Sequence, residues 1–83
     1  MNFLGTWRQI RPDPQPAQIT LTFEAEGVLI YTLLLHGEQT FELRWRVEGE
    51  TLVTTREGVE SSSTFRFASA TMLVVGDHVY RRV

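Results

Sequence analysis

Residues 38–48 read EQTFELRWRVE, and this stretch decides the fold class of the chain. Apolar side chains occupy alternate positions along it, at Phe41, Leu43, Trp45 and Val47. An alternation with a period of two is typical of a β-strand that has one face buried and the other face in water. We therefore predict a strand over residues 38–48, with its aromatic and aliphatic side chains directed toward the core.

The same kind of pattern continues on both sides of this strand, and short turns that contain glycine interrupt it. Residues 17–25, 28–36, 51–56, 59–68, 71–75 and 78–83 are predicted as further strands, and a first strand begins at Gly5-Thr6-Trp7. Turns spaced roughly 8–12 residues apart are typical of all-β proteins. The most economical arrangement is a short up-and-down antiparallel meander barrel of about eight strands, because closure removes exposed sheet edges.

Proline occupies every second position from Pro12 to Pro16. Proline cannot donate to a β-ladder and breaks a helix, so residues 11–16 are predicted to form an extended loop between the first two strands.

The composition limits the classes of function. The 83 residues carry no cysteine and a formal net charge of −2, so we expect a single domain over residues 1–83, without disulfides. No basic stripe is present, and nucleic acid is therefore not an expected partner. No signal peptide or stretch long enough to span a bilayer is apparent, so we expect a soluble cytoplasmic protein without membrane association.

Two short motifs suggest how the ends of the chain meet. Gly5-Thr6-Trp7 resembles the Gly-x-Trp of the first strand in lipocalin-like (calycin-type) proteins, and Tyr80-Arg81-Arg82 resembles their closing strand. The resemblance implies that an arginine packs over Trp7 and that the barrel binds a small, mostly apolar molecule. Alternation alone leaves open whether Arg81 or Arg82 turns inward.

The predicted inward side chains are bulky and would fill much of so short a barrel. They are Ile19, Leu21, Phe23, Phe41, Leu43, Trp45, Phe65, Phe67, Met72 and Val74. Core packing and a ligand cavity compete for the same volume, so we expect a shallow site at one mouth of the barrel. The residues predicted to line this ligand site are Tyr31, Phe41, Trp45, Phe65 and Arg82.

The third strand departs from clean alternation, because residues 28–31 and 33–35 are apolar or aromatic on both faces. A contiguous apolar patch usually marks a contact surface. The alternative function is therefore a non-enzymatic interaction module that uses this strand, most simply as a homodimer. The other interpretation is that the proline-rich loop covers the strand within one molecule.

Residues that could carry catalysis or bind a metal are scattered. Asp77-His78 and Ser61-Ser62-Ser63 could supply a base and a nucleophile, but no spacing links them, so no enzyme activity is expected. A metal would need His36, His78 and Asp77 to converge, and solvated turn residues are the simpler interpretation. We expect no cofactor. The arginines on the predicted strands could form an anion-binding face, but cross-strand pairs with glutamates are the interpretation we favour.

Overall fold

A computed structural model describes residues 2–10 and 18–83, and within them eight antiparallel strands form a closed barrel in up-and-down order. The strands are β1 (Gly5–Ile10), β2 (Gln18–Glu24), β3 (Val28–Leu34), β4 (Glu38–Glu48), β5 (Thr51–Arg56), β6 (Val59–Ser69), β7 (Met72–Val75) and β8 (His78–Arg82). One 3-10 turn, Ala25–Gly27, joins β2 to β3. The predicted all-β antiparallel barrel is confirmed. The predicted loop over residues 11–16 lies outside the described residues.

The two longest strands change partners along their length. Residues 38–44 of β4 pair with β3, and residues 44–48 pair with β5. In the same way β6 pairs first with β5 through residues 59–64 and then with β7 through residues 65–69. This stagger closes the sheet, and β1 pairs with β8 as the last ladder of the barrel.

The barrel has two ends, which we name by their chain segments. The N-terminal mouth is formed by residues 2–4, Ala25–Gly27, residues 49–50 and residues 70–71. The opposite mouth is formed by the turns at residues 35–37, 57–58 and 76–77. No helix in the described part of the chain combines the length and apolar character needed to cross a membrane.

The inward side chains of several strands meet in one core. Trp7 and Leu73 are fully buried, and Phe23 and Leu29 are nearly so. The rest of the core consists of Phe3, Leu21, Leu52 and Tyr80, with Ile19, Tyr31, Leu43, Trp45, Phe65, Phe67 and Val75 packed against them. Most of the predicted inward residues are therefore in the core.

The prediction for β7 is wrong by one residue. Met72 and Val74 were expected to point inward, but Leu73 is the fully buried residue. The register places Leu73 opposite Phe67 and Val75 opposite Phe65, on the inward face. All four residues of β7 are apolar, so alternation cannot select a face, and the irregularity between Phe67 and Ser69 sets the register instead.

One outward residue is buried almost completely, because an arginine crosses over it. Val53 is 1% exposed, although its register partner Arg46 lies on the outer face of β4. The Arg46 guanidinium reaches across β5 to Glu60 on β6 at 3.3 Å and also pairs with Glu48 at 3.5 Å. The hydrogen bond to Glu60 raises the pKa of Arg46 above its ordinary value. The cross-strand pairs expected from the sequence are confirmed for this arginine.

Candidate ligand-binding site

The N-terminal mouth is organised around Arg82, the arginine that turns inward. Its guanidinium carbon lies 4.2 Å from the centre of the Trp7 ring, and Arg82 is opposite Trp7 in the β1–β8 register. Arg81 is opposite Arg8 and is exposed. The register question that the sequence left open is thus answered in favour of Arg82, and the contact has the geometry of a cation–π interaction.

Arg82 and Trp7 together hold the segment that precedes β1, residues Asn2, Phe3 and Leu4, which we call the N-terminal plug. Arg82 Nη1 donates to the Leu4 carbonyl at 2.7 Å, and Arg82 Nη2 donates to the Asn2 carbonyl at 2.9 Å. The indole N–H of Trp7 donates to the Phe3 carbonyl at 2.8 Å. All three carbonyls of the plug are therefore bonded to the closing pair of side chains.

Phe3 occupies the N-terminal mouth. Its ring centre lies 5.0 Å from Phe23, 4.8 Å from Phe65 and 5.0 Å from Phe67, and only 5% of the residue is exposed. These spacings are those of favourable aromatic pairs. Sequence analysis missed Phe3 as a core residue. The available signal was an apolar pair, Phe3 and Leu4, directly before the strand that begins at Gly5.

Gly5 is the hinge between the plug and β1. Its φ is +123°, and a Cβ at this position would lie 2.8 Å from Arg82 Nη1. A Gly5→Ala variant is expected to lose about 1–3 kcal/mol of unfolding free energy, because alanine is strained at this φ and would displace the guanidinium. Urea unfolding measures the loss. Gly37→Ala is the matched control, since Gly37 has nearly the same φ (+121°) but a Cβ there would meet no atom within 4 Å. Equal losses in both variants would mean that contact with Arg82 adds nothing.

A cleft of about 770 Å³ opens between the plug and the strands of this mouth. Its apolar lining consists of Phe3, Leu4, Ala25, Trp45, Val47, Phe65 and Phe67, while polar side chains of Asn2, Glu26 and Arg46 lie at its boundary. Leu4 is 46% exposed and Val47 is 42% exposed. The N-terminal mouth therefore presents apolar surface to solvent next to a packed aromatic cluster.

Trp45 is fixed as a wall of this cleft. Its indole N–H is shared between the Val28 carbonyl at 3.0 Å and the Glu24 carbonyl at 3.2 Å. Its ring packs edge-on against Phe23 at 5.3 Å and lies 5.5 Å from Phe3. Because its one donor is already bonded, Trp45 offers a bound molecule its ring surface rather than a hydrogen bond.

The structure divides the five predicted ligand-site residues between the two mouths. Trp45 and Phe65 line the cleft, and Arg82 holds the plug beside it. Tyr31 and Phe41 pack on each other at 6.1 Å near the opposite mouth. The aromatic pattern alone could not separate these groups, because the stagger of the strands decides the level at which each inward residue lies.

The groups considered for catalysis do not meet. His78 accepts a hydrogen bond at Nδ1 from Gln9 Nε2 at 2.8 Å, whereas Ser61 lines a different cleft, beside Arg56. Within residues 2–10 and 18–83, no group of three or more His, Asp or Glu side chains is placed to hold a metal ion. The absence of enzyme activity stays a prediction.

The outer face of β3 exposes less apolar surface than its sequence suggests. Val28 and Ile30 are partly buried, and Leu34 is 48% exposed. Both edges of β3 are hydrogen-bonded, to β2 and to β4, so a second molecule could contact only this face and could not extend the sheet. A homodimer through β3 stays a prediction.

Comparison of the chain with known protein families, with curated proteins and with solved structures finds no match in any of the three. A ligand site is therefore argued from the geometry of the N-terminal mouth itself.

Proposed function

We propose that the protein is a non-enzymatic binding protein of the calycin type, and that its N-terminal mouth takes up a small apolar or amphipathic molecule. The observation that carries the proposal is the cleft of about 770 Å³ with seven apolar lining residues. A volume of this size lies within the range of about 300–1,000 Å³ that is usual for small-molecule sites.

The chemistry of the lining favours an apolar ligand. Trp45 and Phe65 supply aromatic surface, and Val47 and Leu4 supply aliphatic surface at the rim. Transfer of such surface out of water contributes about 25 cal/mol per Å². The charged groups lie at the boundary, and Arg46 is already paired with Glu48 and Glu60. A polar end of the ligand would therefore remain near the solvent.

The barrel supports the calycin assignment in two respects. Eight antiparallel strands close in up-and-down order, and Arg82 stacks over Trp7 where the first and last strands pair. These are the features that the sequence resemblance implied. The plug departs from an open barrel, because Phe3 occupies volume that a ligand could otherwise fill. We therefore propose binding against the plug, at the mouth.

A neutral fluorescent probe, N-phenyl-1-naphthylamine, tests this proposal. Its emission is expected to rise on binding, and Val47→Glu is expected to weaken binding at least about tenfold because a carboxylate would enter an apolar cleft. Leu34→Glu is the matched control, since Leu34 is 48% exposed on the outer face of β3, away from the cleft. Absence of saturable binding, or equal weakening by both substitutions, would contradict the proposed site.

A further inference from the structure

Arg56 is the centre of a second cleft, at the opposite mouth. The cleft has a volume of about 380 Å³ and is lined by Leu43, Thr54, Arg56, Glu57, Val59 and Ser61. The guanidinium carbon of Arg56 lies 4.3 Å from the centre of the Phe41 ring. Stacking on an aromatic ring uses the face of a guanidinium and leaves its N–H edge available.

The N–H groups of Arg56 differ from those of Arg46 and Arg82, whose side chains are bonded within the protein. Arg82 donates to three backbone carbonyls, and Arg46 pairs with two carboxylates. In the described ranges 2–10 and 18–83, Arg56 has neither an ion pair nor a hydrogen-bond acceptor for its side chain. A positioned guanidinium without an acceptor is suited to bind a carboxylate or phosphate through two parallel hydrogen bonds.

Two hydroxyl groups line the same cleft. Thr54 and Ser61 are register partners on β5 and β6. Neither hydroxyl makes a side-chain hydrogen bond within the part of the chain that the structure describes. Hydroxyls donate to anionic oxygens as readily as to water. Three donor side chains are thus available in one cleft, those of Arg56, Thr54 and Ser61.

The remaining walls are apolar. Leu43 packs against the barrel core, and Val59 is 68% exposed at the rim. We propose that this opposite mouth binds a small amphipathic anion, in which a carboxylate or phosphate meets Arg56 and a short alkyl or aromatic group covers Leu43 and Val59. This site is separate from the N-terminal mouth and does not depend on the function proposed there.

Glu57 also lines the cleft, and its carboxylate would repel a bound anion. It lies in the β5–β6 turn with a φ of 52°, beside Gly58. Asparagine is well suited to a positive φ in a two-residue hairpin turn, so Glu57→Asn removes the charge without straining the turn. Anion binding is expected to become about two- to fivefold tighter in this variant, the size of an exposed charge interaction.

Side-chain NMR of the arginine Nε–Hε groups tests the site directly. Octyl phosphate and octanoate, each below its micellar concentration, are titrated into the ¹⁵N-labelled protein, with methyl phosphate as the ligand that lacks an apolar group. We expect a saturable shift of the Arg56 signal with at least one of the two amphipathic anions, and weaker binding of methyl phosphate. Arg56→Gln lacks this signal, so its binding is followed through the backbone amides of the neighbouring Glu57 and Gly58, and it is expected to be about tenfold weaker.

Arg66→Gln is the matched control, because Arg66 is an exposed arginine on the outer face of β6 and the substitution makes the same change in charge. Equal weakening by both glutamine variants, or no saturable Arg56 shift with either amphipathic anion, would overturn the proposal. If methyl phosphate binds as tightly as octyl phosphate, the proposed contact of an apolar group with Leu43 and Val59 is wrong. The neutral probe reports the N-terminal mouth separately, so failure of one site is distinguishable from failure of the other.

Discussion

Replacement of Trp7 by alanine is expected to bring the free energy of unfolding close to zero, so that about half of the protein or more is unfolded at room temperature. Trp7 is fully buried, and removal of a buried tryptophan side chain costs about 3–5 kcal/mol. The variant also loses the stacking partner of Arg82 and the hydrogen bond to the Phe3 carbonyl. A core of this size supplies only about 3–5 kcal/mol of net stability. The loss therefore equals the whole expected stability of the domain.

Urea unfolding followed by far-UV circular dichroism measures this effect. Trp7→Phe is the informative companion variant, because it keeps an aromatic ring under Arg82 but removes the indole N–H that bonds to Phe3. We expect an intermediate loss for this variant. Ile10→Ala, on the same strand but 37% exposed, is the control and should change the unfolding midpoint little. A Trp7→Ala protein with the wild-type midpoint would show that the barrel closes without this contact.

Replacement of Arg82 by glutamine is expected to release the N-terminal plug while the rest of the barrel stays folded. The substitution removes the donors that bind the Asn2, Leu4 and Ala70 carbonyls. We expect the free energy needed to open the plug locally to fall by about 2 kcal/mol, which is the contribution of a hydrogen bond made by a charged group. Phe3 would then leave the mouth more often, because of the three bonds that hold the carbonyls of the plug only the one from Trp7 to Phe3 would remain.

Hydrogen exchange of the two indole N–H groups separates this local opening from general destabilisation. The Trp7 N–H is bonded to the plug, whereas the Trp45 N–H is bonded to carbonyls of residues 24 and 28. In Arg82→Gln the Trp7 N–H is expected to exchange about 30-fold faster, with little change at Trp45. Arg81→Gln is the control, since Arg81 lies on the outer face. Equal acceleration at both indoles would contradict a local role for Arg82.

The fold class could be predicted because the local sequence patterns agree with the tertiary packing of the barrel. Strand β4 has the predicted bounds, because four apolar residues alternate with polar ones and glycine turns lie on either side. The orientation of β7 could not be predicted, since Met72, Leu73, Val74 and Val75 are all apolar. The burial of Val53 could not be predicted from the local sequence pattern either, because a side chain from another strand covers this residue.

The candidate site was predictable only in part. Trp45 and Phe65 were expected at a mouth, and they line the larger cleft. Tyr31 and Phe41 share the inward face with them but lie near the other end, which depends on how far each strand is shifted against its neighbour. Phe3 was missed because its position depends on contacts between distant parts of the chain. Arg82 bonds to the carbonyls of Leu4 and Asn2, which precede it by 78 and 80 positions in the sequence.

That separation has a consequence for the order of folding. Seven of the eight ladders described join consecutive strands, and only β1 with β8 brings the two ends of the chain together. Hairpins between neighbouring strands form after short loop closures, whereas the β1–β8 ladder requires closure of nearly the whole chain. The plug can dock only after that step, because Arg82 and Trp7 must already be adjacent. The N-terminal mouth is therefore expected to be the last part of the barrel to form and the first to open.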